Sequence, residues 1–128
     1  MRFLLGFIIL VLIQMDAVAQ SISAGPVVGG VTSASARIYI RTDVPTEFDI
    51  EIDTLANFGT SFLVTDSTRS DQFNMVISNV EGLQPFRKYY YRYLIGGQPQ
   101  DSVYQFTSFP EDGYSGHYKI AVGSCNYF

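Results

Sequence analysis

Two side chains suited by type to metal or nucleophile chemistry occur once each in this sequence, Cys125 and His117. A multi-metal hydrolase needs several His, Asp or Cys ligands converging around open coordination positions. One of each is too few. His117 stands eight residues before Cys125, close to Gly113 and Gly116, and reads as an exposed linker histidine. By residue type alone Cys125 reads as a buried free thiol. Asp49, Glu51 and Asp53 alternate along one strand face, where they could gather a cation; the plainer reading is a solvated outer face. The serines have a single histidine between them, which gives little basis for a Ser-His-Asp triad. Neither Gly29-Gly30 nor Gly96-Gly97 has the context of a phosphate loop, and Asn57-Phe58-Gly59 is not a glycosylation sequon. No catalysis is expected from this chain by itself.

The elements that must position these residues are strands. The stretch Gly82-Leu83-Gln84-Pro85-Phe86-Arg87-Lys88-Tyr89-Tyr90-Tyr91-Arg92-Tyr93 organises the rest. Tyr89, Tyr91 and Tyr93 recur at period two and so share one face, with Tyr90 and Arg92 on the other. Leu83, Pro85 and Tyr89 have the Leu-x-Pro-x-x-x-Tyr spacing of a tyrosine corner in an immunoglobulin-like or fibronectin-III sandwich. A buried phenol needs a hydrogen-bond partner, and a chain crossing between sheets has free backbone groups to supply one.

Upstream, Gly25-Pro26 and Gly29-Gly30 punctuate a loose first strand over 21–30. In 33–42, Ala34, Ala36, Ile38 and Ile40 alternate with Ser35, Arg37, Tyr39 and Arg41, and Phe48, Ile50 and Ile52 alternate with the three acids. A short edge strand is expected over 61–65 and a polar loop over 66–72. Phe73 to Val80 is expected to be a strand with Phe73, Met75, Ile77 and Val80 as its apolar positions. Pro99 and Asp101 mark a hairpin-like return into 103–107. The class is all-β: an immunoglobulin/fibronectin-III-like β-sandwich of about seven short strands.

The ends read differently from the middle. Arg2, the apolar run Phe3 to Ile13 and Ala17-Val18-Ala19 have the order of a Sec-type secretory signal peptide over 1–19. That run is too short for a membrane span, which needs about 20 apolar residues. Export places the protein in the periplasm or outside the cell, and a single Cys leaves no internal disulfide. Removing 19 of the 128 residues leaves 109, enough for one small domain over 20–109. A net charge of −4 without a basic run makes nucleic acid an improbable partner. Residues 110–117 read as a linker. Tyr118-Lys119-Ile120-Ala121-Val122-Gly123-Ser124-Cys125 then reads as a new apolar strand, so the chain is expected to stop just inside its next domain.

The stretch from Gly25 to Thr42, the corner at 83–91 and the terminal Gly123-Ser124-Cys125-Asn126-Tyr127 occur in that order. Together they resemble the PhoD-like alkaline phosphatases and phosphodiesterases, which carry a β-sandwich before a metallophosphoesterase domain. The resemblance implies a parent enzyme acting on phosphate esters with iron and calcium. It makes 118–128 the first strand of a truncated catalytic domain, and the missing remainder the sandwich's partner. By resemblance Cys125 is similar to a ligand of the active-site iron, in a full-length parent only; a soft thiolate suits that metal. The family's Asp-x-His and Gly-Asn-His-Asp motifs have no counterpart here. Purple acid phosphatases rank second, because Gly123-Ser124-Cys125 lacks their Gly-Asp strand end. Arg37, Tyr39, Tyr90 and Arg92, on expected outer faces, are candidates for a docking surface. The alternative is a stand-alone secreted binding or adhesion module, whose last strand would be 118–128.

Overall fold

The computed structural model describes residues 20–117 and Lys119. The signal peptide read at 1–19 lies outside the described residues, as does the strand read at 118–128 except for exposed Lys119. Eight strands follow in chain order: β1 (Ile22–Gly29), β2 (Ser35–Thr42), β3 (Glu47–Asp53), β4 (Phe62–Ser67), β5 (Met75–Glu81), β6 (Lys88–Ile95), β7 (Gln98–Pro99) and β8 (Tyr104–Thr107). The one beyond the expected count is β7, two residues that pair with Leu94 and Ile95 across the Gly96-Gly97 turn.

All pairings are antiparallel. One sheet has the order β1-β2-β5; the other has β4-β3-β6-β7, with β8 pairing along the first half of β6. This is a fibronectin-III-like arrangement of two facing sheets. The core follows from alternation, since residues two apart share a face. Ala36, Ile38 and Ile40 from β2 and Val80 from β5 face Phe48, Ile50 and Ile52 from β3 and Tyr89, Tyr91 and Tyr93 from β6. Each large side chain so buried contributes about 1.5–3 kcal/mol over leaving it in water. The tyrosines interlock edge-on and stacked: Tyr91 lies 5.3 Å from Tyr104 and 6.0 Å from Phe106, and Phe48 meets Tyr93 edge-on at 5.5 Å.

β5 departs from the expected pattern. Phe73 lies before the strand and is 74% exposed, Ile77 is 60% exposed, and Met75 is only half-buried. The inward positions are Val76, Ser78 and Val80. Pairing register is the reason: Ile40, Ile38 and Ala36 stand opposite Val76, Ser78 and Val80. Cross-strand partners point to the same face, so the inward isoleucines of β2 carry a serine inward with them. Ser78 Oγ is satisfied there by Asp66, donating at 2.8 Å. β4 also runs on to Ser67, and a single 3-10 turn (Ser70–Gln72) leads through left-handed Phe73 and Asn74 into β5.

β1 is an edge strand with two register shifts, between Ile22 and Ala24 and between Ala24 and Val27. Gly25 sits in the second with φ +95°, close against the backbone of β2.

Candidate functional site

The candidates among the described residues are surfaces and polar clusters. At the β5–β6 corner the Tyr89 hydroxyl accepts a hydrogen bond from the Gln84 backbone N–H at 2.7 Å. Leu83 is buried beneath it and donates its N–H to the Ala34 carbonyl, while Pro85 stays exposed at the bend. Buried Ser108 completes the knot: its hydroxyl accepts from the Arg87 N–H and donates to the Gln84 carbonyl at 2.6 Å. Tyr89→Phe removes one partner and leaves the Gln84 N–H unpaired. It should lower stability by about 1–3 kcal/mol in urea unfolding, with little change in m-value.

The three acids of β3 do not behave as one solvated row. Asp53 is buried, and its carboxylate accepts from the Leu55 N–H at 3.0 Å, the Thr60 N–H at 2.8 Å and the Thr60 hydroxyl. Glu51 accepts from Arg92 Nε at 2.6 Å and from Ser61 Oγ at 2.7 Å, and Asp49 accepts from Thr65 Oγ1 at 2.5 Å. Each carboxylate is used locally. Among the described residues no group of three or more His, Cys, Asp or Glu comes together as a metal site requires.

The Thr60 backbone N–H is the main cause holding Asp53 below the usual carboxylate range, against the opposing push of burial. A depressed folded pKa stabilises the fold fully above the unfolded value of about 3.9, and that contribution is lost as pH falls through the lower folded value. Asp53→Asn should therefore be less stable than the native chain at neutral pH. The gap should close on acidification, which urea midpoints taken from about pH 6 to about pH 2 would show.

The expected docking residues divide between opposite faces. Arg37 and Tyr39 point out from the β1-β2-β5 sheet, whereas Tyr90 and Arg92 point out from the other, because their neighbours Ile38 and Tyr91 both face the core. They cannot make one surface. Arg92 is also occupied: besides Glu51, its guanidinium lies 4.3 Å from the Phe58 ring centroid. A contiguous outward row is instead Val27, Tyr39 and Ile77, in register across β1, β2 and β5; Val27 and Ile77 are exposed, Tyr39 is half-buried, and exposed Phe73 lines one shallow cleft with Tyr39 and Ile77. Local pattern hides this row, because Phe73, Met75 and Ile77 read as an inward series until the register against β2 is known. A second exposed aromatic group lies where the chain leaves the sandwich: Phe86 and Tyr114 rings 5.2 Å apart, with Phe109 nearby in sequence. His117 is exposed beyond them, and Cys125 lies outside the described residues. No helix among the described residues is long and apolar enough to cross a membrane.

No protein-family model matches the sequence, and no curated protein does. Solved structures do match in fold. PhoD is similar over 73% of this chain, with a TM-score of 0.62 and 19% identity. The chain spans 21% of PhoD's length. The sensor domain of the anti-sigma factor RsgI4 from Pseudobacteroides cellulosolvens is similar over 78% of this chain and 97% of its own, with a TM-score of 0.53 and 14% identity. Its solution structure gives the same TM-score at 11% identity. At these identities the likeness is one of fold: a PhoD-like β-sandwich.

Proposed function

We propose that this chain carries the non-catalytic N-terminal sandwich of an exported, PhoD-like metal-dependent phosphatase or phosphodiesterase. The observation that carries the reading is the fold match to PhoD, which takes in most of this chain and about a fifth of PhoD. The ordered motifs support it, above all Ser124-Cys125-Asn126 directly after an apolar run. The sandwich then serves as a packing module, with the Val27–Tyr39–Ile77 row as its contact with the catalytic domain. Cys125 is the residue of this chain that would ligate iron in the parent. Among the described residues no group of three or more His, Cys, Asp or Glu could hold either metal.

The test compares this chain with the product of its reading frame extended past Phe128. Both are assayed on p-nitrophenyl phosphate and bis-p-nitrophenyl phosphate at alkaline pH with iron and calcium. The chain alone should be inactive, the extended product active, and Cys125→Ser in the extended product severely impaired. An immediate stop codon, or an extended product without metal-dependent hydrolysis, overturns the proposal. A second reading, a stand-alone secreted binding module, draws support from the sensor-domain likeness, which takes in nearly all of that domain.

A further inference from the structure

β5 closes one side of the β1-β2-β5 sheet, and no strand lies beside its outer edge among the described residues. Which backbone groups line that edge follows from the ladder with β2. The Asn74 carbonyl accepts from the Thr42 N–H at 3.0 Å, and bonding residues alternate along an antiparallel pair. Val76, Ser78 and Val80 therefore bond to β2, while Met75, Ile77, Asn79 and Glu81 aim their N–H and C=O groups outward. Arg69 bridges to Met75 and covers the start of the edge. That leaves Ile77, Asn79 and Glu81, all exposed and without a backbone partner on that side among the described residues. Sheets ordinarily blunt such an edge with Pro, Lys or a bulge. β1, on the sheet's other side, has Pro26 and two register shifts. β5 has none of these: its register with β2 runs unbroken from Met75 to Glu81, with neither Pro nor Lys.

We propose that this edge pairs with the β5 edge of a second copy of the chain, antiparallel and centred on Asn79, so that two sheets become one. The open stretch is its own complement. A two-fold axis at Asn79 sets Ile77 opposite Glu81 of the second copy, and Asn79 opposite Asn79. Each such pair exchanges two N–H···O bonds, which uses every outward backbone group of the stretch. A centre nearer Met75 would run the second strand into Arg69. A centre nearer Gly82 would leave Ile77 facing Leu83, which has already turned inward to bond with Ala34. Charge permits the pairing. Glu81 is the only ionisable group on the open stretch, and its two copies would stand about 13 Å apart along the ladder, beyond a Debye length at physiological salt. The Asn79 carboxamides meet at the axis, where each can donate and accept. Pro26 and the shifts of β1 deny the joined sheet a third copy, so assembly closes at two. The ladder runs through backbone groups and leaves Val27 and Tyr39 free for the contact assigned above.

The test is sedimentation of the full chain over a range of concentrations, with amide exchange followed in parallel. Mass should rise from one chain to two and stop there. The Ile77, Asn79 and Glu81 amides should become protected only as the dimer forms, whereas Val76, Ser78 and Val80 are protected throughout. Asn79→Pro removes a donor that points away from β2, so the fold should survive and the dimer should be lost. Asn79→Lys and Asn79→Glu each set like charges opposite at the axis and should each weaken the dimer about fivefold. Mixed together, they should restore it, a result that only a ladder centred on residue 79 gives. A chain that stays single overturns the inference. So does association that survives Asn79→Pro or grows beyond two copies, and so does protection of the edge amides at every concentration, which would mean that the chain's own 118–128 segment covers them. None of these outcomes bears on the phosphatase reading, which rests on the fold match and Cys125.

Discussion

Tyr91→Ala is expected to bring the sandwich to the edge of unfolding, lowering its stability by about 3–5 kcal/mol. Tyr91 is buried at the point where both aromatic stacks meet: Tyr104 at 5.3 Å, Phe106 at 6.0 Å and Tyr93 at 6.3 Å. Truncation removes the transfer energy of the ring and leaves a cavity. The surrounding rings cannot collapse into it without breaking their own stacking. Small domains hold about 5–15 kcal/mol in all, so the urea midpoint should fall by about 2 M. Tyr91→Phe keeps the ring and should fall far less. If Tyr91→Ala cost under about 1 kcal/mol, the aromatic core described above would be wrong.

Gly25→Ala is the second large effect, and it arises from backbone rather than packing. A Cβ at residue 25 would meet the Tyr39 carbonyl oxygen at 2.8 Å, and φ is +95° there. An L-residue is strained in that region by about 1–3 kcal/mol even before the contact is counted. Flexible side chains swing away, but a paired strand's carbonyl does not. The cost should show as a lower thermal midpoint and as faster amide exchange confined to β1 and the β2 residues it pairs with. Gly29→Ala, with nothing within 4 Å of the added Cβ, is the control and should be nearly silent.

Much of this architecture is legible in the residues, and the reasons differ by element. β2, β3 and β6 alternate cleanly because one face of each is core and the other is wet, so period two betrays them. The Leu83, Pro85 and Tyr89 spacing marks the chain crossing because a tyrosine corner has few sequence solutions. β5 is not legible in the same way. Phe73, Met75 and Ile77 make a convincing apolar series, and only the register against β2 shows that it faces outward. That information lies in a pairing some 35–40 residues distant, which no local pattern contains. Asp53 misleads for a related reason: its burial depends on the Thr60 loop folding back upon it. The two solvent-facing sides look alike in sequence, so Arg37 and Tyr39 could not be told apart from Tyr90 and Arg92 as members of different faces.

The attachment of Phe109 has a mechanical consequence. Its N–H bonds to the Thr32 carbonyl and its carbonyl accepts from the Phe86 N–H, each at 3.0 Å, at the end of the sandwich opposite the start of β1. Chain entering at Gln20 and chain leaving at Phe109 therefore pull on opposite ends of the barrel-like stack, separated by about 25 Å, the length of an eight-residue strand. Tension between them runs along the strands, so the bonds joining β1 to β2 are sheared together rather than unzipped singly. A sandwich loaded that way resists extension by whole-strand shear rather than by single bonds.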